Sequence, residues 1–149
     1  MRLRPPPENQ LVNLATEIAF RLRLKRVTVT AGLDDAALGV HVAATTVAEP
    51  YALRVDAGTP EADPGTCTYP LAEEGGTFRL DTHGGPCNIT YRRASPPGGY
   101  TLTASIVWKV HWTPSVNPDG PAAADPALPD GASSASTPVT VRESEALVR

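Results

Sequence analysis

The longest regular pattern of apolar and polar positions in this chain covers residues 100–112, where Tyr100, Leu102, Ala104, Ile106, Trp108, Val110 and Trp112 occupy every second place. Thr101, Thr103, Ser105, Val107, Lys109 and His111 fill the alternate places. A period of two sends successive side chains to opposite faces of an extended backbone, so the pattern predicts one long strand with a single apolar face. Both tryptophans of the chain lie on that face. Burying a side chain of that size stabilises a fold by roughly 1.5–3 kcal/mol or more. The strand is therefore expected at the centre of a core, with the tryptophans packed in it and not forming a binding platform.

Shorter alternations surround it. Ile18, Phe20, Leu22 and Leu24 alternate with Ala19, Arg21, Arg23 and Lys25. Val27 and Val29 continue with the opposite parity, which implies a bulge or break near Lys25 and Arg26. Residues 31–38, with Gly32, Asp34 and Asp35, read as a connection to a strand over 39–47 that Pro50 ends. Further short strands are predicted over 51–56, around Cys67 and Tyr69, over 77–80, and from Cys87 to Arg92 or Arg93, separated by turn clusters such as 57–65 and 83–86. The turn 95–99 joins the strand after Cys87 to the long strand as a hairpin. Residues 113–138 are rich in Pro, Ala, Asp, Gly and Ser and are expected to form one flexible loop before a last strand over 137–142. Residues 1–12 read as a flexible proline-rich arm. The prediction is an all-β, antiparallel two-sheet sandwich of about seven to eight strands, a single domain over 13–149.

Composition agrees with that class. Sixteen prolines and twelve glycines supply the turns, while 41% hydrophobic residues are too many for a disordered chain. The net charge of -3 conceals an uneven distribution, since residues 1–26 carry six Lys or Arg against two Glu. Arg21, Arg23 and Lys25 alternate with apolar residues and carry no interleaved aromatics, which fits a solvated strand face and speaks against nucleic-acid binding. There is no run of about eighteen apolar residues of the kind a membrane-spanning helix needs, and no signal-peptide pattern at the start. The two cysteines, Cys67 and Cys87, lie at predicted strand ends. They can form a disulfide, or remain two buried thiols as in a reducing cytosol.

Val12-Asn13-Leu14, Val55-Asp56-Ala57-Gly58, the two cysteines, Tyr91-Arg92-Arg93, and Pro97-Gly98-Gly99-Tyr100-Thr101-Leu102-Thr103-Ala104 leading to Trp108 and Trp112 together carry a resemblance. The chain resembles actinobacterial exported proteins with a C-terminal PKD-like, immunoglobulin-type β-sandwich, from Gln10 through the terminal segment 137–147. The hairpin and the cysteine spacing are its more specific parts. The "WDMGDG" turn of PKD-like domains is reduced here to Val-Asp-Ala-Gly. The resemblance implies fold and an extracytoplasmic location.

Catalytic chemistry finds little support. His41, His83 and His111 fall on separate strands or turns, the cysteines are better matched to each other than to a base, and no hydrolase, nucleotide or metalloprotease motif is present. The acidic pairs Asp34 with Asp35, Asp56 with Asp63, and Asp81 with His83 read as turn formers, with calcium at loop tips as the other reading. Neither a catalytic residue, a metal ligand nor a cofactor is assigned, and the only site residues are the disulfide pair Cys67 and Cys87. The expected function is a non-enzymatic, secreted or cell-envelope module that acts as a spacer or binds a protein or glycan. The alternative is a structural subunit of a larger assembly, a phage or envelope particle, that contacts neighbours through its N-terminal arm.

Overall fold

The computed structural model describes residues 1–81 and 87–144. Across these residues the chain is all-β, with one short 3-10 turn at Pro7–Asn9. The strands are β1 (Arg2–Arg4), β2 (Gln10–Leu11), β3 (Ala15–Ala19), β4 (Arg21–Leu24), β5 (Val27–Asp35), β6 (Val40–Asp56), β7 (Ala62–Asp63), β8 (Thr66–Pro70), β9 (Ala72–Glu74), β10 (Thr77–Asp81), β11 (Ile89–Tyr91), β12 (Tyr100–Thr113), β13 (Gly131–Val139) and β14 (Val141–Arg142). The count exceeds the expected seven to eight because the alternating run from Ala15 to Leu24 is divided at Phe20, and because several pairings involve only two or three residues.

Two layers enclose the core. In the first, the order is β13-β12-β6-β5, and β8 pairs with the C-terminal half of β6. In the second, β1-β3-β11-β7 continues through Phe20 into β4-β10-β9. Leu53, Val55, Tyr69, Leu102 and Val139 from the first layer meet Leu3, Ile18, Leu80, Ile89 and Tyr91 from the second in one buried cluster. A short parallel pair, β14 with β2, lies beside it. Tyr91 joins the layers twice: its ring stacks on Tyr100 with centroids 5.4 Å apart, and its hydroxyl donates to the Ala57 carbonyl at 3.5 Å.

The long strand is present as β12, and Cys67 and Cys87 form a disulfide with their Cα atoms 5.9 Å apart. Cys67 belongs to β8 of the first layer and Cys87 leads into β11 of the second, so the bridge ties the two layers together.

Several expectations are corrected. The strand after Cys87 is not the hairpin partner of β12: β11 pairs with β3 and β7, while β12 pairs with β6 and β13. The 95–99 turn instead carries the chain from one layer to the other. Gly99 takes a positive φ of 82° there, and a Cβ on it would meet the Val139 carbonyl oxygen at 2.8 Å. Pro50 does not end a strand. Its missing N–H falls where the β6–β12 register shifts between Val107 and Trp108, a site that needs no ladder bond from it. Residues 31–38 are no mere connection, since β5 runs through Gly32 to Asp35 and pairs with β6 residue for residue. The first twelve residues are not a free arm: β1 pairs with β3, Leu3 is buried, and the Gln10 side chain is fully buried against the Pro5 and Pro6 carbonyls and the Thr16 hydroxyl. The 113–138 loop is shorter than expected, because Gly131–Val139 pairs with β12 despite having few large side chains. Finally, neither tryptophan belongs to the buried cluster; both are half-buried on the part of β12 that extends past it. The turn at 83–86, His83, and the last part of the 137–147 segment lie outside the described residues.

Two stability changes follow from this packing. Replacing Cys67 and Cys87 by serine releases a loop of about twenty residues and is expected to cost on the order of 3 kcal/mol in denaturant unfolding. Gly58 has φ +73° and lies so close to the Thr101 backbone that a Cβ would meet its oxygen at 2.1 Å. Gly58→Ala is expected to lower unfolding free energy by roughly 2–4 kcal/mol, measured in the same way.

Candidate functional site

The first layer is longer than the second. Its β6–β12 ladder runs from Thr103 opposite Asp56 to Thr113 opposite Thr45, and β5 pairs with β6 on to Asp35 opposite Val40. The second layer covers only the end near Leu53, Val55 and Leu102. Past Ile106 the first layer continues as a three-stranded extension, and past Thr113 as the two-stranded β5–β6 ribbon alone.

The register assigns the faces of this extension. Opposite residues of an antiparallel pair share a face, so Val27, Val29, Ala31 and Leu33 of β5 lie beside Ala48, Thr46, Ala44 and Val42 of β6. Val110 and Trp112 of β12 stand opposite Ala48 and Thr46 and join the same face. The other face carries Thr28, Thr30, Thr45, Val47 and His111.

The two faces differ in cover. The loop after β12 folds onto the second one: the Thr45 hydroxyl donates to the Ser115 carbonyl at 2.8 Å, the Thr113 hydroxyl donates to the Asn117 carbonyl at 2.8 Å, and Arg26 pairs with Asp119. That hydrogen bond holds the Asp119 carboxyl below its ordinary range and raises the Arg26 guanidinium. Under this cover Val47 and Thr45 are completely buried. The apolar face has no such cover. Val27 is 53% exposed, Val29 64%, Leu33 66%, Val42 60% and Val40 37%. With ordinary side-chain areas these leave on the order of 400 Å² of apolar surface in one patch, the size of the largest patch on a typical monomer, which is often a functional one. Trp108 and Trp112 border it with their N–H groups already satisfied, donating to the Ser133 hydroxyl at 3.1 Å and the Pro126 carbonyl at 2.9 Å.

A second apolar feature opens between the layers, a cleft of about 350 Å³ lined by Met1, Phe20, Leu22, Leu53, Ala104 and Ile106 with the Ser133 to Ser136 edge of β13. Its lining is aliphatic with small hydroxyls and one buried phenyl ring. Sugar rings are held best on exposed aromatic faces, so this lining suits an apolar side chain better than a glycan.

The polar candidates are dispersed. His41 Nδ1 lies 2.7 Å from Asp34 Oδ1 at the exposed tip of the ribbon. Asp35 Oδ1 accepts from the Ala37 and Leu38 N–H groups and shapes that turn. Asp56 accepts from the Gly58 N–H at 2.8 Å, and Asp63 is bound by Arg92 at 3.1 Å, so this pair is committed to separate partners. His111 is half-buried on the covered face. His83 and the side chain of Asp81 lie outside the described residues. Among the described residues no three His, Cys, Asp or Glu side chains come together as a metal site, and no helix is long and apolar enough to cross a membrane. The apolar face was hidden to sequence reading because Gly32, Asp34 and Asp35 interrupt it; the alternation of Val27, Val29, Ala31 and Leu33 was the available signal.

Burial, with a smaller contribution from Tyr100, pushes the Tyr91 phenol up to about 12. The folded state therefore holds that proton more tightly than the unfolded chain does, so stability is intact below about pH 10 and falls as pH rises toward 12. An ultraviolet titration is expected to show Tyr91 as the last of the four tyrosines to ionise, behind Tyr69, which burial also raises, and that last step is absent in Tyr91→Phe.

Comparison of the chain with family models, with curated proteins and with solved structures returns no match.

Proposed function

We propose that this protein is a non-enzymatic, extracytoplasmic β-sandwich module of the PKD-like, immunoglobulin type, which docks a neighbouring protein on the apolar face of its sheet extension. The observation that carries the reading is the difference between the two faces: one buries Thr45 and Val47 beneath the 114–120 loop, and the other leaves Val27, Val29, Leu33 and Val42 in water. Exposing that much apolar surface is costly to solubility, and a partner that covers it recovers the burial. The disulfide between layers supports the oxidising compartment, since such bridges persist outside the reducing cytosol. It also supports the immunoglobulin-type reading, in which a bridge crosses the two sheets.

A protein partner is favoured over a glycan because the surface is flat, β-branched and aliphatic. The structural-subunit reading is favoured by the same ribbon. Residues 1–12 are used within the sandwich, so contact with neighbours in an assembly falls to the projecting β5–β6 ribbon instead.

A photo-activated cross-linking residue placed at Val29 or Val42, in cells that naturally make the protein, tests the reading. A discrete protein adduct from these positions, absent from Thr28 on the opposite face, is the expected outcome. No adduct at either apolar position, or equal labelling at Thr28, sinks it.

A further inference from the structure

The sequence around β5 is Lys25-Arg26-Val27-Thr28-Val29-Thr30-Ala31-Gly32-Leu33-Asp34-Asp35, a neutral segment with two cations at one end and two anions at the other. In the fold this strand is the outer edge of its sheet: β6 is its only hydrogen-bonded neighbour among the described residues, and Val27 through Asp34 are exposed throughout. Edge strands in soluble proteins are ordinarily guarded by a charge, a proline or a bulge within the strand. Between Val27 and Leu33 this edge has none.

We propose that β5 is a homodimerisation edge, to which the β5 strand of a second copy adds in antiparallel register about a two-fold axis at Thr30. The inference goes beyond the docking face proposed above, because an added strand pairs the edge of the sheet and leaves that face open on both copies. An antiparallel strand centred on Thr30 places Val27 opposite the partner's Leu33 and Val29 opposite the partner's Ala31. Both apolar faces then fall on the same side of one continuous sheet. Carried two residues past the start of β5 at Val27, the same register brings Arg26 toward Asp34 of the partner subunit and Lys25 toward Asp35 of the partner subunit, and the two-fold repeats both pairs. A shift of two residues either way destroys the match. In one direction Lys25 faces the partner's Leu33; in the other Val27 faces the partner's Asp35. The charge pattern is thus complementary to itself in one register only, which is what an isologous interface requires.

The monomer does not lock these charges away. Arg26, whose side chain is 38% exposed, is paired with the more exposed Asp119, and Asp34 with His41 at the exposed ribbon tip, and such pairs can exchange partners. Asp35 uses one carboxylate oxygen to cap the ribbon turn and keeps the other for a neighbour. Exposed ion pairs of this kind select a register and a partner more than they drive association. The driving contribution comes from the unpaired edge backbone groups and from the cross-strand contacts of Val27 and Val29 with Leu33 and Ala31 of the partner subunit.

Sedimentation velocity on the full, disulfide-bonded chain tests the proposal, with circular dichroism confirming that each variant folds. The wild type is expected to dimerise across the micromolar range. Asp34→Lys with Asp35→Lys, and separately Lys25→Asp with Arg26→Asp, are each expected to weaken the dimer about tenfold or more at low salt. Combining all four substitutions is expected to restore it. Thr30→Cys, on the axis, is expected to give a covalent dimer under mild oxidant. Thr28→Cys is not, because the two cysteines would be several residues apart along the strands. A chain that stays monomeric, or a dimer indifferent to the charge variants and to their combination, overturns the second copy as partner. If the chain is monomeric while Val29 still cross-links to a different protein, docking stands and self-pairing falls.

Discussion

Everything in this fold depends on one antiparallel ladder, β6 against β12. At one end it presents Leu53, Val55 and Leu102 to the second layer, and at the other it presents Val42, Val110 and Trp112 to no second layer at all. Pairing of this length fixes side-chain parity from end to end, so the face that builds the core must continue as the face of the extension. The register shift near Pro50 preserves that parity by giving β6 one additional residue where β12 has none. Without it, Val47 and Thr45 would turn toward the apolar side and the exposed valines would turn beneath the loop.

The extension is stabilised without a second sheet. Its covered face is closed by hydrogen bonds from threonine hydroxyls to the backbone of the loop after β12, with Arg26 and Asp119 at the margin. Buried hydroxyls satisfied in this way allow a proline-rich loop to serve as the second layer, a role its composition alone does not advertise. The loop buries Val47 and Thr45 on one face and reaches only as far as Trp112 on the other, which leaves the valines of β5 and β6 exposed and gives the molecule a directional surface.

Legibility in the sequence divided along the same physical line. The strict alternation over residues 100–112 and the spacing of Cys67 and Cys87 were local signals, and both correspond to structure: a strand, and a bridge. Pairing partners were not legible. Alternation says which way side chains point but not which neighbour lies alongside, so the strand after Cys87 was assigned to β12 when it belongs to the other layer. Gly32 and Pro50 misled for a related reason, since each breaks an isolated strand but is tolerated where the flanking register is held on both sides. The tryptophans show the limit of reading burial from size. Their face was identified correctly, yet the core ends before it reaches them. The proline-rich start was likewise read from composition as an arm, although Leu3 and Gln10 hold it inside the fold.

The unbroken course of β6 through Val40–Asp56 has a mechanical side. A paired strand is stiff along its length, and Pro50 with the adjoining register shift marks the point about which its two halves can twist. Residues 40–48 act as the long arm of a lever and residues 52–56 as the short arm, seated among Leu53, Val55 and the neighbouring Cys67. Torque applied to the ribbon is delivered into the buried cluster around Leu53 and Val55, beside the covalent tie between the layers.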